Sequence, residues 1–197
     1  MKAQPLTPQA FAPFGDVVST SRLSEGKSAN QGTGTRLDFV ATLASTRPQA
    51  KANMVVFRCN AQKLPFQVKL LEKHPHSSQT FLPLKCERYL VCVAPTGADG
   101  LPVVSALQAF IGEAGQGINY APGTWHHPMV SLDNDGEFAM LVREDHSAGD
   151  CVEWRLPETA FIEVPKRSRG VPPPAPRRRP GRNAPPPAAW RCPAAGR

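Results

Sequence analysis

Several things are missing from this chain of 197 residues, and each absence narrows what it can be. No run of about eighteen apolar residues occurs, and the apolar stretch 89–95 is far too short to cross a bilayer, so no membrane span is expected. The opening residues Met1-Lys2-Ala3-Gln4-Pro5 lack the apolar segment of a secretory signal. The five cysteines (Cys59, Cys86, Cys92, Cys151 and Cys192) contain no Cys-x-x-Cys pair and are odd in number. That argues against a disulfide framework and for a reducing compartment, with the cytoplasm as the expected location. Helical periodicity is almost absent, which disfavours bundles and α/β folds. Acidic residues are absent after residue 165, where nine basic ones gather. Residues 1–165 carry fourteen basic against sixteen acidic side chains, a net of −2, so the overall +7 belongs to the tail. Nucleic-acid binding would therefore be nonspecific and confined to that tail.

Nine of the 22 prolines also lie beyond residue 165. Proline runs favour solvated extended chain, and the tail has almost nothing apolar to bury apart from Trp190. The reading is one globular domain over 1–165 and a disordered Arg/Pro-rich tail over 166–197.

Within the globular part, strand signals dominate. Thr7 followed by Pro8 suits the N-cap and first position of a short helical turn. A first strand is expected near 14–18, a loop over 21–35, and further strands at 53–59, 66–71, 79–84, 89–94, 108–111, 117–120, 126–132 and 138–144. Pro83 and Pro128 must sit at edges or bulges, since each removes a ladder donor. Many short strands separated by turn signals predict an all-β sandwich or barrel able to enclose one small ligand.

Four of the five histidines fall in two clusters, His74/His76 and His126/His127. His74 and His76 share a face in extended chain, whereas only one of His126 and His127 can point inward. Imidazole suits acid–base work near neutral pH and metal ligation alike. Glu72 and Lys73 read as solvated charges, and Trp125 as barrel wall. The residues alone reach an all-β barrel with a His-lined pocket and no further.

Both clusters look like imperfect cupin motifs. His74, His76 and Gln79 resemble the first, with Cys86 where that motif has glycine; Gly115, Gly123 and His126 resemble the second. Across residues 3–163 the chain is similar to the ureidoglycolate lyase family, also called ureidoglycolate hydrolase. The resemblance rests on Phe14-Gly15-Asp16-Val17, Asn30, Gly32 and Arg36, Phe57-Arg58, Leu71-Glu72-Lys73-His74-Pro75, Ser78-Gln79-Thr80-Phe81-Leu82-Pro83-Leu84, Ala109-Phe110-Ile111, Gln116-Gly117-Ile118-Asn119-Tyr120 and Trp125-His126-His127-Pro128.

This resemblance implies a cupin-like double-stranded β-helix (jelly-roll barrel) with an N-terminal extension. It also implies a homodimer and carbon–nitrogen lysis of (S)-ureidoglycolate to glyoxylate and urea in allantoin and purine breakdown. His74 and His126 are then the candidate acid–base pair, Gln79 orients the ureido group, and Lys85 is a further catalytic candidate. Glu87 is an alternative base. Arg36 and Arg58 are candidates to fork the substrate carboxylate, each with a surface ion pair as the alternative. Tyr120 and Trp125 are candidate substrate contacts. A divalent metal (nickel, zinc or manganese) on His74, Gln79 and His126, with His76 as a possible fourth ligand, is the cofactor the superfamily resemblance suggests. Two other readings stay open: a metal-dependent cupin acting on another small hydroxy or keto acid, and a cupin that only binds a ligand. If Cys86 replaces a glycine of positive φ, strain of about 1 kcal/mol is expected there.

Overall fold

The computed structural model describes residues 1–166, so the tail expected to be disordered lies outside the described residues from 167 onward. The chain divides into two compact units, one of Met1–Thr20 with Phe39–Pro165 and one containing Ser21–Asp38.

The first unit is all-β. Its strands are β1 (Gln4–Pro5) and β2 (Gly15–Ser19), with β3 (Lys27–Ala29) and β4 (Gly34–Arg36) belonging to the second unit. Then come β5 (Lys51–Cys59), β6 (Phe66–Lys73), β7 (Gln79–Lys85), β8 (Arg88–Ala94), β9 (Gln108–Glu113) and β10 (Gln116–Tyr120). The last are β11 (Trp125–His126), β12 (Val130–Ser131), β13 (Gly136–Glu144) and β14 (Val152–Ile162). They form a seven-stranded sheet in the order β1-β9-β8-β11-β6-β14, with β12 also on β8, and a five-stranded sheet in the order β2-β10-β7-β13-β5. From β6 onward the chain crosses repeatedly from one sheet to the other, with β8–β9 and β11–β12 as the steps that stay within one. That to-and-fro path is the expected double-stranded β-helix.

Strand β8 explains why its sequence is continuously apolar instead of alternating. Tyr89, Val91 and Val93 join one buried cluster with Phe81, Phe110, Ile118, Tyr120, Phe138 and Met140, residues drawn from both sheets. Leu90, Cys92 and Ala94 join a second cluster with Val68, Leu71, Trp125 and Ile162. A strand covered on both faces reads as an unbroken apolar run.

The expected cap is present: Thr7 Oγ1 accepts from Ala10 N, and Pro8 opens the four-residue helix α1 (Pro8–Phe11). Phe11 from that helix is fully buried and meets Phe14, Phe110 and Tyr120. Gly15 has φ +145, and a Cβ there would stand 1.9 Å from the Asn119 carbonyl oxygen, so only glycine lets β2 lie against β10. Pro83 sits where the β7–β13 register slips, and Pro128 falls between β11 and β12, outside both ladders. Residues 126–132 are thus two short strands instead of the one expected. Cys86 is not among the residues of positive φ, so the expected strain is absent.

A 3₁₀ turn at Thr20–Glu25 leads into the second unit, which holds the hairpin β3 (Lys27–Ala29) and β4 (Gly34–Arg36), where a loop was expected.

Candidate functional site

Two cross-strand pairs build the site. In the seven-stranded sheet, His126 on β11 lies directly opposite Glu72 on β6. In the five-stranded sheet, Tyr120 at the end of β10 lies opposite Gln79 at the start of β7. Directly opposed residues project from the same face. The two pairs meet between the sheets, where the rings of Tyr120 and His126 stack at 4.0 Å and 15°. His74, just past the end of β6, completes the group with its ring centroid 5.6 Å from that of His126.

Neighbouring hydrogen bonds hold these pieces in register. Thr80 Oγ1 donates to Asn119 Oδ1 at 2.7 Å, and Asn119 Nδ2 donates to Asp16 Oδ2 and to the Thr42 carbonyl. That buried chain ties β7 and β10 to β2. Because side chains alternate along a strand, Gln79 then faces inward.

The imidazole tautomers are fixed by backbone carbonyls, which can only accept. His74 Nδ1 lies 2.8 Å from the Asp150 oxygen, and His126 Nδ1 lies 2.9 Å from the Thr124 oxygen. Each Nδ1 therefore carries the proton, and the Nε2 of each neutral ring holds a lone pair. His74 Nε2 accepts from Gln79 Nε2 at 2.9 Å. His126 Nε2 stands 3.5 Å from Glu72 Oε1. That nitrogen and Gln79 Oε1 are buried without a hydrogen-bond partner. Buried polar atoms are rarely left so, and unpaired ones mark places where a ligand or ion completes the set.

Burial, with His126 next, pushes the His74 imidazole below its ordinary value, so the neutral ring prevails at neutral pH. Burial pushes the Glu72 carboxyl up, but the surrounding His126, His74 and His127 outweigh it and hold the group below the usual carboxylate range. The site thus combines a carboxylate with two imidazole lone pairs. Glu72, His74 and His126 each offer a ligand atom, and these atoms lie within 4.8 Å of one another.

Three corrections to the sequence reading follow. Glu72 is no solvated charge; it is the acidic member of the group, and it joins His74 and His126 as a donor that the sequence reading left out. His76 turns away, its Nδ1 3.0 Å from Thr46 Oγ1. Glu87 accepts from Asn134 beside the β7–β8 turn.

Lys85, Arg58 and Trp125 are not brought to the imidazoles. Lys85 ends β7 six residues from Gln79, about 20 Å along the strand. Arg58 pairs with Glu137 at 2.7 Å on an exposed surface, five residues along β5 from Asn53, the residue that shares Val142 with Gln79. Arg36 pairs with Asp38 at 2.6 Å within the second unit. Trp125 is buried on the face of β11 opposite His126, with Lys73 Nζ 4.4 Å from its ring centroid and its indole N–H donating to the Gly100 carbonyl. Tyr120 is buried against His126, and burial pushes its hydroxyl well above the ordinary range. Sequence reasoning missed Asp150, whose carbonyl fixes His74; a main-chain acceptor leaves no trace in residue identity. Its carboxylate is held in turn by Arg47 at 3.0 Å.

No helix among the described residues is long and apolar enough to cross a membrane. Among solved structures, a 3,4-ketoisomerase from Helicobacter canadensis aligns with a TM-score of 0.38 at 12% identity, over 69% of this chain and 87% of that one. The ureidoglycolate lyase of Pseudomonas entomophila (strain L48) is 39% identical over 159 residues, covering 81% of this chain and 93% of that protein. The ureidoglycolate lyase of Pseudomonas fluorescens (strain Pf0-1) is 40% identical over 140 residues, covering 71% and 82%. The family profile described as ureidoglycolate lyase matches residues 1–163, which spans every strand and every residue of the site, and the chain belongs to that family.

Proposed function

We propose that this chain is a carbon–nitrogen lyase that splits (S)-ureidoglycolate into glyoxylate and urea. The observation that carries the reading is the meeting of Glu72, His74 and His126 between the sheets, with His126 Nε2 and the Oε1 of Gln79 both buried and without a partner.

The three donors fit a divalent cation such as nickel, zinc or manganese. Both rings present Nε2 lone pairs while backbone carbonyls hold Nδ1–H, the arrangement that orients metal-binding imidazoles. Such a cation would supply positive charge to hold the substrate carboxylate and polarise the carbinol oxygen. Gln79 then remains to bind the ureido group, its Oε1 accepting from the terminal amide and its Nε2 donating to the ureido oxygen.

In the cation-free site the proton steps fall to His126. Its Nε2 takes the carbinol proton as the C–N bond breaks, and the bond electrons pass to the leaving nitrogen. The same proton returns to that nitrogen, releasing neutral urea. Glu72, 3.5 Å away, stabilises the transient imidazolium. Proton transfer of this kind contributes about 10²–10⁴-fold.

The test is to incubate the purified chain with racemic ureidoglycolate and measure glyoxylate and urea with and without chelator. Equal amounts of the two products support the lyase, and absence of both products removes it. Activity lost on chelation and restored by one metal favours the loaded site; activity indifferent to chelator favours His126 acting alone.

The homodimer rests on the outer face of the five-stranded sheet. There Met54, Val56, Leu82 and Leu84 are exposed side by side on β5 and β7, flanking β13. Neighbouring apolar side chains of this size suit a second copy of the chain. Sedimentation of Val56→Lys against the unaltered chain tests it, with a monomeric unaltered chain as the contrary result.

A further inference from the structure

A cleft of about 780 Å³ lies where β6 parts from the β11–β12 segment, and its lining includes none of Glu72, His74, Gln79 or His126. The volume is that of a small-molecule site. On its walls the ring of Phe66 meets that of His127 edge-on at 5.0 Å and 89°, with Met129 also lining the cleft. Lys63 and Lys69 line it as well, no acidic side chain does, and neither lysine has a carboxylate partner among the described residues. His127 Nδ1 is tied to the Pro128 carbonyl at 2.7 Å, leaving Nε2 as the free polar atom of that ring.

We infer that this cleft is a second ligand site, taking a small planar organic anion. Its carboxylate would lie between Lys63 and Lys69 and its flat body against Phe66, His127 and Met129. Two ammonium groups and an apolar surface lining one cleft select for both features at once. Charge alone would admit any anion, and an apolar wall alone would admit any neutral ring. The inference is independent of the lyase reading, since none of the residues proposed to hold or convert ureidoglycolate contributes to it.

Benzoate is the probe, with inorganic phosphate as the contrast, each titrated into the full chain by calorimetry and by amide NMR. Saturable benzoate binding is expected below about 10 mM, with shifts centred on residues 62–70 and 127–130. Phosphate should bind at least tenfold more weakly. The double variant Lys63→Ala/Lys69→Ala should weaken benzoate at least tenfold and leave urea release unchanged, whereas Glu72→Gln should leave benzoate binding unchanged. Both lysines are exposed, so the double variant is expected to fold. Absence of saturation, shifts centred on His74 and His126, indifference to the lysine substitutions, or phosphate binding as tight as benzoate would each overturn the assignment.

Discussion

His126 Nε2 stands 3.5 Å from Glu72 Oε1 and forms no hydrogen bond with it, although the nitrogen is buried. With the proton on Nδ1 both atoms are acceptors that cannot bond to each other, and they are held this close as they would be if both served a third body. Glu72→Gln keeps the shape and removes the charge. Divalent-cation uptake and kcat/KM should both fall at least about 10²-fold, read from metal content after dialysis and from urea release. A near-normal rate with normal metal content would take Glu72 out of the site.

Arg47 acts on the chemistry at one remove. Its Nη1 donates to Asp145 at 2.8 Å, Ser147 at 2.6 Å and Asp150 at 3.0 Å, and Asp150 supplies the carbonyl that fixes the His74 tautomer. Arg47→Ala should lower kcat/KM about 10–100-fold, as loss of a group orienting a ligand imidazole typically does. Arg47→Lys keeps charge without the planar fork and should recover part of the loss. The diagnostic readout is the His74 Nδ1–H resonance, which should broaden or vanish in Arg47→Ala. An unchanged resonance beside reduced activity would refute the positioning role.

The strands of the barrel were legible because pattern and burial agree along them. β5 to β10 begin and end within two residues of where their apolar runs and turn signals put them. β14 was not legible. Its eleven residues include Pro157 and several charges, it lies at a sheet edge, and its register slips between Arg155 and Ala160 around that proline. An edge strand tolerates what a central strand cannot, so its sequence reads as loop. In the site, His74 and His126 were legible from chemistry and motif spacing. Glu72 was not, because its role comes from the antiparallel register that sets it opposite His126, 54 residues away. The cationic candidates misled for the same reason. Arg58 lies in a family-like segment and Lys85 directly after one, yet strand length carries both toward the other end of the barrel.

Trp125 separates two readings that the sequence left open. Its neighbour His126 faces the site, while the indole packs with Leu71, Leu90 and Ile162 under the Lys73 ammonium. Trp125→Ala should cost about 3–5 kcal/mol of stability, measured by urea denaturation, and KM in the remaining folded fraction should change little. A large rise in KM with stability intact would make Trp125 a substrate contact after all.

Stability should fall as the solution is acidified through the ordinary histidine range. Burial lowers the affinity of His74 and of His127 for protons in the folded chain. Once unfolded, both rings return to an ordinary value near 6.5 and take up protons more readily. Above about pH 6.5 both states are neutral at these positions, and the two residues impose no slope. Below it the unfolded state binds more protons, so folding free energy declines with falling pH, by at most about 1.4 kcal/mol per unit for each ring. The decline continues until the folded rings protonate too. Urea denaturation of the metal-free chain at pH 7, 6 and 5 should therefore give steadily lower midpoints. His127→Gln removes one titrating ring and should flatten the curve without reaching the site between the sheets. Midpoints that do not move between pH 7 and 5 would mean that neither ring is held neutral by burial.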